Sequence, residues 1–268
     1  MAVEEEPGGD VLARTAGMTG VALGIDIGGT GMKAAPVDLA TGSLLHKRYR
    51  VLTPQPAKPK AVAEVCRELV SHFAWQGPIG VTFPAVIKRG VVRTAANVDS
   101  RWIGTDADGL LTETTGCPVA VLNDADAAGI AEMRFGAGTG RSGTTIMVTL
   151  GTGIGTALFV DSVLVPNTEL GHIELRGKDA EERAAANVRE TQDLSWKAWA
   201  EHVDDYLAAI EALLSPDLII IGGGVSEDSD KWFKYLVREA EVVPAALGNN
   251  AGIVGAALFA PVTVTAPT

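Results

Sequence analysis

One pattern of strands and glycines occurs twice in this chain, and it limits the folds that the chain can adopt. The first copy has an apolar strand over 21–25, a glycine turn that ends at Thr30, and two further strands over 32–37 and 43–51. The second copy has an apolar strand over 144–150 and its own glycine turn at 151–155. Internal repetition of this kind is the sequence signature of a duplicated structural unit.

Helices and strands alternate after each copy of the pattern. Apolar residues at helical spacing and short apolar runs predict these elements. The predicted helices span 58–75, 106–115 and 124–135, several segments between 180 and 214, and then 229–240 and 251–260, and the predicted strands span 79–83, 118–122 and 217–221. Strand triplets followed by such alternation predict two mixed sheets with helices on their faces, which is an α/β fold.

The repetition also predicts how the chain is divided. We expect a disordered tail over 1–20, a small lobe formed by 21–122 plus 249–262, and a large lobe formed by 123–248. The glycine turns and polar loops follow strands, and ligands of open sheets bind outside the carboxyl ends of strands. We therefore expect the functional loops of both lobes to face one interlobe cleft.

Composition excludes several classes of function. A formal net charge of −11 argues against nucleic-acid binding. No apolar run approaches the ~18–20 residues of a membrane span, and the acidic N-terminal stretch lacks the apolar core of a signal peptide. The two cysteines, Cys66 and Cys117, are far apart in sequence and fit reduced core thiols. These features predict a cytoplasmic protein with no membrane partner.

The first glycine turn has the residues that a phosphate site needs. Backbone N–H groups at Gly28 and Gly29 can approach a phosphate closely because glycine has no side chain. Thr30 adds a hydroxyl and Lys33 a cation, while Asp26 can hold Mg²⁺ through water. The alternative is an ordinary hairpin turn, for which Gly-Gly is a common signal.

The second glycine turn repeats this chemistry. It contains Gly151, Thr152, Gly153 and Gly155 directly after an apolar strand. Two such turns facing each other would hold a phosphate donor from both sides. Phosphoryl transfer depends mainly on this kind of positioning, together with a base for the acceptor's proton.

Asn123 and Asp124 lie between a predicted buried strand and a helix. Asp124 is the candidate base, since the N-terminus of a helix stabilises a carboxylate. The alternative is that one of the two residues caps the helix.

Glu169 and His172 lie three residues apart, so they can form a polar clamp for hydroxyl groups. A metal-ligand pair or a solvated loop are the alternatives. Gly222, Gly223 and Gly224 would let a ligand ring approach the backbone, or they simply connect a strand to a helix.

Taken together, these motifs resemble those of the ROK family of sugar kinases and repressors, within the actin/hexokinase/Hsp70 superfamily. The matching motifs are Asp26-Ile-Gly-Gly-Thr30 with Lys33, Asn123-Asp124, Gly151-Thr-Gly-Ile-Gly155, Glu169-Leu-Gly-His172 and Gly222 to Gly224. The resemblance covers nearly the whole chain. It implies the duplicated βββαβαβα fold of the actin-like and hexokinase proteins, which is ribonuclease H-like, with two lobes and a cleft.

The resemblance also implies roles for individual residues. Asp124 would be the catalytic base. Sugar would be bound by Asn97, Asn123, Asp124, Glu169, His172 and a later glutamate, for which Glu181 is preferred to Glu182. The glycines at 222–224 would bind a nucleoside. Mg²⁺ is the implied cofactor, and a homodimer is the implied assembly.

Finer motifs resemble the polyphosphate-dependent glucokinases of this family, some of which also use ATP and mannose. They are Thr82-Phe-Pro-Ala85, Ala96-Asn-Val-Asp99 with Trp102, and Gly177-Lys-Asp-Ala-Glu181. Most ROK proteins also have a cysteine-rich zinc motif after the clamp histidine, and residues 173–186 contain no cysteine. We therefore predict no structural zinc.

The resemblance predicts a kinase that transfers the terminal phosphoryl group of inorganic polyphosphate, and also of ATP, to the 6-hydroxyl of glucose, with mannose as a further acceptor. Polyphosphate and ATP require the same loops, so an ATP-only hexokinase of the same family is an alternative. A non-catalytic sugar sensor on the same fold is another. A Rossmann dehydrogenase is disfavoured because Gly28-Gly-Thr-Gly31 lacks its glycine spacing.

Overall fold

The structure, a computed structural model, describes residues 20–96 and 98–261. Asn97 and all but the last residue of the predicted tail over 1–20 lie outside the described residues. The chain divides into two compact units. Unit 1 is formed by the described residues up to Ala131 and from Asn250, and unit 2 by Glu132–Asn249. The first division falls inside a helix, whereas the sequence suggested one after residue 122.

Unit 1 contains a five-stranded sheet. Its elements are β1 (Val21–Ile27), β2 (Gly31–Asp38), β3 (Tyr49–Leu52), α1 (Pro59–His72), β4 (Ile79–Phe83), β5 (Ile87–Lys88), β6 (Val91–Val92), α2 (Ala107–Thr115), β7 (Val119–Asn123) and the start of α3 (Asp124–Phe135). The strand order is β3-β2-β1-β4-β7. β1 is antiparallel to β2 and parallel to β4, so the sheet is mixed.

Unit 2 repeats this arrangement. Its elements are β8 (Thr144–Leu150), β9 (Ile154–Val160), β10 (Val163–Val165), β11 (Glu174–Leu175), β12 (Lys178–Asp179), α4 (Glu181–Ala184), α5 (Ala186–Thr191), α6 (Trp196–Leu214), β13 (Leu218–Gly222), α7 (Ser229–Trp232) and β14 (Glu241–Pro244). The strand order β10-β9-β8-β13-β14 corresponds strand by strand to that of unit 1. The predicted duplication and the predicted α/β class are therefore confirmed.

Helix α8 (Ala251–Phe259) returns the chain to unit 1 and packs closely on its sheet. A Cβ atom at Gly24 would lie 2.0 Å from the Ile253 carbonyl oxygen, and one at Gly80 would lie 1.6 Å from the Ala256 carbonyl oxygen. Real side chains do not allow such distances, so both strands need glycine here. The opposite face carries Ile25 and its neighbours, which pack against α1 and α2.

Two predicted elements were wrong in length. The third strand, predicted over 43–51, is limited to β3, because Pro36 in β2 has no N–H group to extend the ladder. The helix predicted over 229–240 ends as an α-helix at Trp232 and continues as a single 3-10 turn over Phe233–Tyr235. Two short hairpins, β5–β6 and β11–β12, were not predicted.

Carboxylates of α6 explain the early end of that helix. Asp204 accepts a hydrogen bond from the Val237 N–H, and Glu211 accepts one from the Ala240 N–H. Both carboxylates also bind the Arg238 guanidinium. These N–H groups are therefore engaged by side chains and are not available to continue a helix.

Among the described residues, no helix has both the length and the apolar character needed to span a membrane.

Glu132 fixes the two chain segments that enter and leave unit 2. Its side chain is fully buried and accepts hydrogen bonds from the N–H groups of Ala137, Ala246 and Leu247, at 2.9, 3.0 and 2.7 Å. A Cβ atom at Gly136 would lie 2.0 Å from the Glu132 carboxylate. Because Gly136 has no side chain, there is room beside it for the Glu132 carboxylate.

We predict that Glu132→Ala lowers the free energy of unfolding by about 3 kcal/mol or more, because three N–H groups lose the buried carboxylate that accepts from them. Urea denaturation measures this change, and hydrogen exchange should show lost protection at Ala246 and Leu247. Glu113→Ala, which removes an exposed glutamate from α2, is the control. Equal stability of the two variants would contradict the prediction.

Candidate active site

The carboxyl end of β1 carries a polar row that crosses the sheet. Asp26 lies opposite Lys33 in β2 and opposite Thr82 in β4. The Thr82 hydroxyl donates to Asp26 Oδ1 at 2.9 Å, and Lys33 Nζ lies 3.5 Å from Asp26 Oδ2. Asp26 is thus oriented from both sides, and its side chain remains 21% exposed. A carboxylate held in this way can bind a hydrated cation.

The loop that follows β1 has its carbonyl groups occupied by protein donors. The Thr53 hydroxyl donates to the Gly28 carbonyl, and Gln55 Nε2 donates to the Gly29 carbonyl at 3.1 Å. The Thr53 N–H lies 3.4 Å from the Thr30 carbonyl oxygen. A Cβ atom at Gly29 would meet nothing within 4 Å, so the loop is open on that side. Fixed carbonyls and an open backbone suit an anion site made of N–H groups.

A pocket of about 180 Å³ lies beside this loop within unit 1. Its lining includes Gly28, Gly29, Pro84, Asp99 and Trp102. The latter three belong to the motifs that resemble polyphosphate-dependent glucokinases. Asn97, the predicted sugar ligand in this segment, lies outside the described residues.

Asn123 caps helix α3. Its Oδ1 accepts hydrogen bonds from the N–H groups of Ala125 and Asp126, at 2.8 and 3.1 Å. Its Nδ2 donates to the Ala85 carbonyl at 3.2 Å. Asn123 is therefore the residue that caps the helix, which was one of the two alternatives raised by the sequence. Part of its amide group is not used in these contacts and can bind a ligand.

Asp124 is the one exposed residue in an otherwise buried segment over 121–133. Its Oδ1 accepts a hydrogen bond from the Ala125 N–H at 2.9 Å. The position at the first residue of α3 places the carboxylate at the positive end of the helix dipole. The Asp124 carboxylate is thus presented to solvent by an otherwise buried helix, which suits a base that accepts a proton from a bound hydroxyl group.

In unit 2, the second glycine turn is held by a glutamate and by another glycine turn. Glu181 Oε2 accepts a hydrogen bond from the Ile154 N–H at 3.2 Å, and a Cβ atom at Gly153 would lie 2.4 Å from the same oxygen. Gly223 has a positive φ of 85°, and a Cβ atom there would lie 2.1 Å from the Leu150 carbonyl oxygen. The turns at 151–155 and 222–224 therefore adjoin each other.

His172 lies at the centre of a cluster of three carboxylates in unit 2. Its Nδ1 lies 3.0 Å from Asp179 Oδ2 and 3.7 Å from Glu181 Oε1, and its Nε2 lies 3.7 Å from Glu169 Oε2. Glu181 thus belongs to the cluster and contacts the second glycine turn, whereas Glu182 is exposed.

This cluster shifts the pKa of two of its members. Burial lowers the pKa of His172, but the Asp179 hydrogen bond and the charges of Glu181 and Glu169 outweigh it, so the pKa is raised. Burial raises the pKa of Glu169, and the His172 charge opposes that shift. The cluster therefore combines hydrogen-bond donors and acceptors that can hold hydroxyl groups.

Sequence reasoning assigned no role to Asp179, Thr82, Thr53 or Gln55. Asp179 reaches His172 because β11 and β12 form a hairpin, whose turn residues Arg176 and Gly177 both have positive φ. The pair Arg-Gly between short polar strands was the available signal. The other residues are brought to the first turn by strand register or by long-range contacts.

The structure places the predicted residues in two groups. Unit 1 contains Asp26, Gly28, Gly29, Thr30, Lys33, Asn123 and Asp124, and unit 2 contains Gly151, Thr152, Gly153, Gly155, Glu169, His172, Glu181 and Gly222 to Gly224. Within the described ranges, no group of three or more His, Cys, Asp or Glu side chains is arranged to hold a metal ion.

Comparison with known proteins identifies the family to which these motifs belong. The profile described as "ROK family" matches residues 22–184. The chain is 54% identical over 237 residues to polyphosphate glucokinase of Mycobacterium tuberculosis (strain ATCC 25618 / H37Rv), covering 88% of this chain and 89% of that protein. It is 27% identical to a glucokinase of Streptomyces coelicolor, covering 89% of this chain and 96% of that one.

Two solved structures are also similar. The inorganic polyphosphate/ATP-glucomannokinase from Arthrobacter sp. strain KM has a TM-score of 0.86 and 50% identity, over 89% of this chain and 97% of that one. A ROK family glucokinase from Streptomyces griseus, in complex with glucose and AMPPNP, has a TM-score of 0.75 and 27% identity, over 90% of this chain and 99% of that one.

We predict that Asp179→Asn lowers the pKa of His172, because the substitution removes the hydrogen bond and the charge that favour the imidazolium. NMR titration of the four histidines measures this change. Glu182→Gln is the control, since it removes an equal charge from an exposed neighbour. An unchanged His172 titration in Asp179→Asn would contradict the prediction.

The raised pKa of His172 also makes the stability of the protein depend on pH. The pKa of His172 is raised above the unfolded value, which is about 6.5. Its contribution to stability is therefore fully present below that pH and is lost as the pH rises through the folded-state pKa. Asp179→Asn should reduce this pH dependence.

Proposed function

Because this chain belongs to the ROK family, we propose that it is a hexose kinase that transfers the terminal phosphoryl group of inorganic polyphosphate, or of ATP, to the 6-hydroxyl of glucose. The proposal is supported by the 54% identity to a mycobacterial polyphosphate glucokinase over most of both chains. It is also supported by the structural similarity to a polyphosphate/ATP-glucomannokinase. The latter similarity extends the proposal to mannose as a second acceptor.

The exposed carboxylate of Asp124 is the observation that carries the mechanism. We assign it as the base that accepts the proton of the 6-hydroxyl group while the hydroxyl oxygen attacks the terminal phosphorus. A new P–O bond to the sugar forms as the bond to the rest of the donor breaks. The products are glucose 6-phosphate and a polyphosphate shortened by one unit, or ADP.

The phosphates of the donor are assigned to the two glycine turns. In unit 1 the Gly29 N–H, the Thr30 hydroxyl and the Lys33 cation would bind them beside Gly28, whose own N–H donates to the Gly31 carbonyl. In unit 2 the turn at 151–155 would bind them through the N–H groups that Gly153 and Glu181 do not accept. Gly222 to Gly224 would accommodate the nucleoside of ATP, since a Cβ atom at Gly224 meets nothing within 4 Å.

Asp26 fits a role in holding Mg²⁺. It is a partly exposed carboxylate next to the first turn, and Mg²⁺ prefers oxygen ligands from one or two carboxylates, phosphates and water. One Asp26 oxygen is occupied by Thr82 and the other faces Lys33, which favours contact through water. When bound, the ion would neutralise charge on the phosphates.

The sugar is assigned to polar groups in both units. Asn123 offers the part of its amide that α3 does not use, and Asn97 is proposed from its motif. Glu169, His172 and Glu181 offer charged donors and acceptors that are already oriented by one another. A site with such groups discriminates against sugars that lack a hydroxyl, because polar groups that a bound sugar covers would be left without a partner.

The resemblance further leads us to propose a small lobe and a large lobe, a homodimer, and activity in the cytoplasm. Size-exclusion chromatography with light scattering measures the assembly.

We predict that Asp124→Asn lowers kcat by about 10²–10⁴-fold, since the amide cannot accept the proton. Coupled assay of glucose 6-phosphate measures kcat, and calorimetry should show that glucose still binds. Asp230→Asn, which changes an exposed aspartate of α7, is the control. Near-normal turnover of Asp124→Asn would rule out Asp124 as the base.

A donor and acceptor matrix tests the proposed substrates. We expect glucose 6-phosphate from polyphosphate in nucleotide-free buffer and from ATP, with mannose as a second acceptor and N-acetylglucosamine as a poor one. Turnover with ATP alone would indicate an ATP-only hexokinase. Sugar binding without turnover by either donor would indicate a sugar sensor.

A further inference from the structure

The basic segment over 46–50 has no role in the mechanism described above. It contains His46, Lys47, Arg48 and Arg50, in a chain with a net charge of −11. Its last residue belongs to β3 and lies directly opposite Lys33 of β2. Residues that lie opposite each other in a sheet share a face. Arg50 therefore extends the row of Thr82, Asp26 and Lys33 by one more strand.

The Arg50 side chain leans along the sheet towards the first glycine turn. A Cβ atom at Gly31 would lie 2.5 Å from Arg50 Nε and 2.7 Å from Nη2, so the guanidinium occupies the space that this glycine leaves open. Nη2 lies 3.4 Å from the Thr30 carbonyl oxygen. The cation is thus held at the edge of the turn that we assign to phosphate.

Protein partners leave most of this guanidinium free. Among the described residues no carboxylate forms an ion pair with Arg50, whereas Lys33 pairs with Asp26, and Arg238 pairs with Asp204 and Glu211. The Thr30 carbonyl is a distant acceptor for a group with five N–H donors. Arg50 is also exposed, so its remaining donors face solvent.

We propose that Arg50 binds the phosphoryl donor, at a phosphate next to the one that the Gly28–Thr30 turn holds. The inference rests on the proposed kinase function and adds a residue to its donor site. A planar guanidinium matches phosphate oxygens in a bidentate way. The exposed residues Lys47 and Arg48 continue the positive charge along the chain. Such a continuation suits a long linear polyanion and extends past what a nucleoside triphosphate needs.

The test compares Arg50→Gln, Arg50→Lys and the control Arg67→Gln. Arg67 lies on α1 with a side chain 60% exposed, so its substitution removes the same charge from an ordinary surface position. Steady-state kinetics with long-chain polyphosphate, with ATP and with glucose give KM and kcat for each variant. Polyphosphate KM is also measured at several salt concentrations.

We expect Arg50→Gln to raise the KM for polyphosphate about tenfold, the effect of one lost charge-assisted hydrogen-bond pair. The KM for ATP should rise less, and that for glucose should stay within about twofold. Arg50→Lys should recover part of the loss because it keeps the charge. The salt dependence of polyphosphate KM should become shallower in Arg50→Gln, because one cation fewer faces the polyanion.

Two results would overturn the inference. One is a donor KM in Arg50→Gln equal to that in Arg67→Gln. The other is an equal loss with donor and glucose that lysine does not rescue, which would indicate that Arg50 only supports the turn. If the unsubstituted enzyme makes no glucose 6-phosphate from polyphosphate, the proposed donor fails, and the ATP arm still decides whether Arg50 binds phosphate.

Discussion

The close approach of α8 to the first sheet determines where the Asp26 carboxylate lies. Gly24 and Gly80 have no side chains, so the helix backbone rests on the strands two residues before Asp26 and Thr82. A Cβ atom at Gly252, in the first turn of α8, would lie 3.3 Å from Asp26 Cγ. The partly exposed carboxylate therefore lies between the helix N-terminus, whose dipole favours negative charge, and the two strands that flank β1. A bulkier residue at either strand position would move the helix away from this site.

The duplicated sheets use their equivalent glycine turns in different ways. In unit 1 the turn after β1 is held from its carbonyl side by Thr53 and Gln55, and the charged residues lie in a row on the sheet. In unit 2 the turn after β8 is held by Glu181, which also faces His172. One turn is thus coupled to cations on neighbouring strands, and the other to the proposed sugar clamp. The two units therefore share the same strand arrangement, and they differ in the side chains that hold their glycine turns.

The sequence allows prediction of those parts of the fold that depend on local patterns. Helix α3 and strand β8 have the predicted limits, because apolar periodicity and nearby glycines define their ends. The segment after Trp232 could not be predicted, because its N–H groups are taken by carboxylates of α6 that are distant in sequence. In the candidate site, Asp179 was missed for a related reason. Its contact with His172 depends on a hairpin turn, and local pattern alone does not report which side chains a hairpin brings together.

An acidic chain that binds a polyanion must rely on local charge. At physiological ionic strength, exposed charges more than about 8 Å apart are largely screened. The many carboxylates that give the chain its net charge of −11 therefore contribute little at the first glycine turn. The local charge at this turn depends on strand register, because the register places Lys33 and Arg50 side by side on one face of the sheet. Of these two residues, only Lys33 forms an ion pair with a carboxylate of the described residues. Register thus brings two basic residues that are distant in sequence next to each other, and the proposed phosphate site depends on this local charge and not on the net charge of the chain.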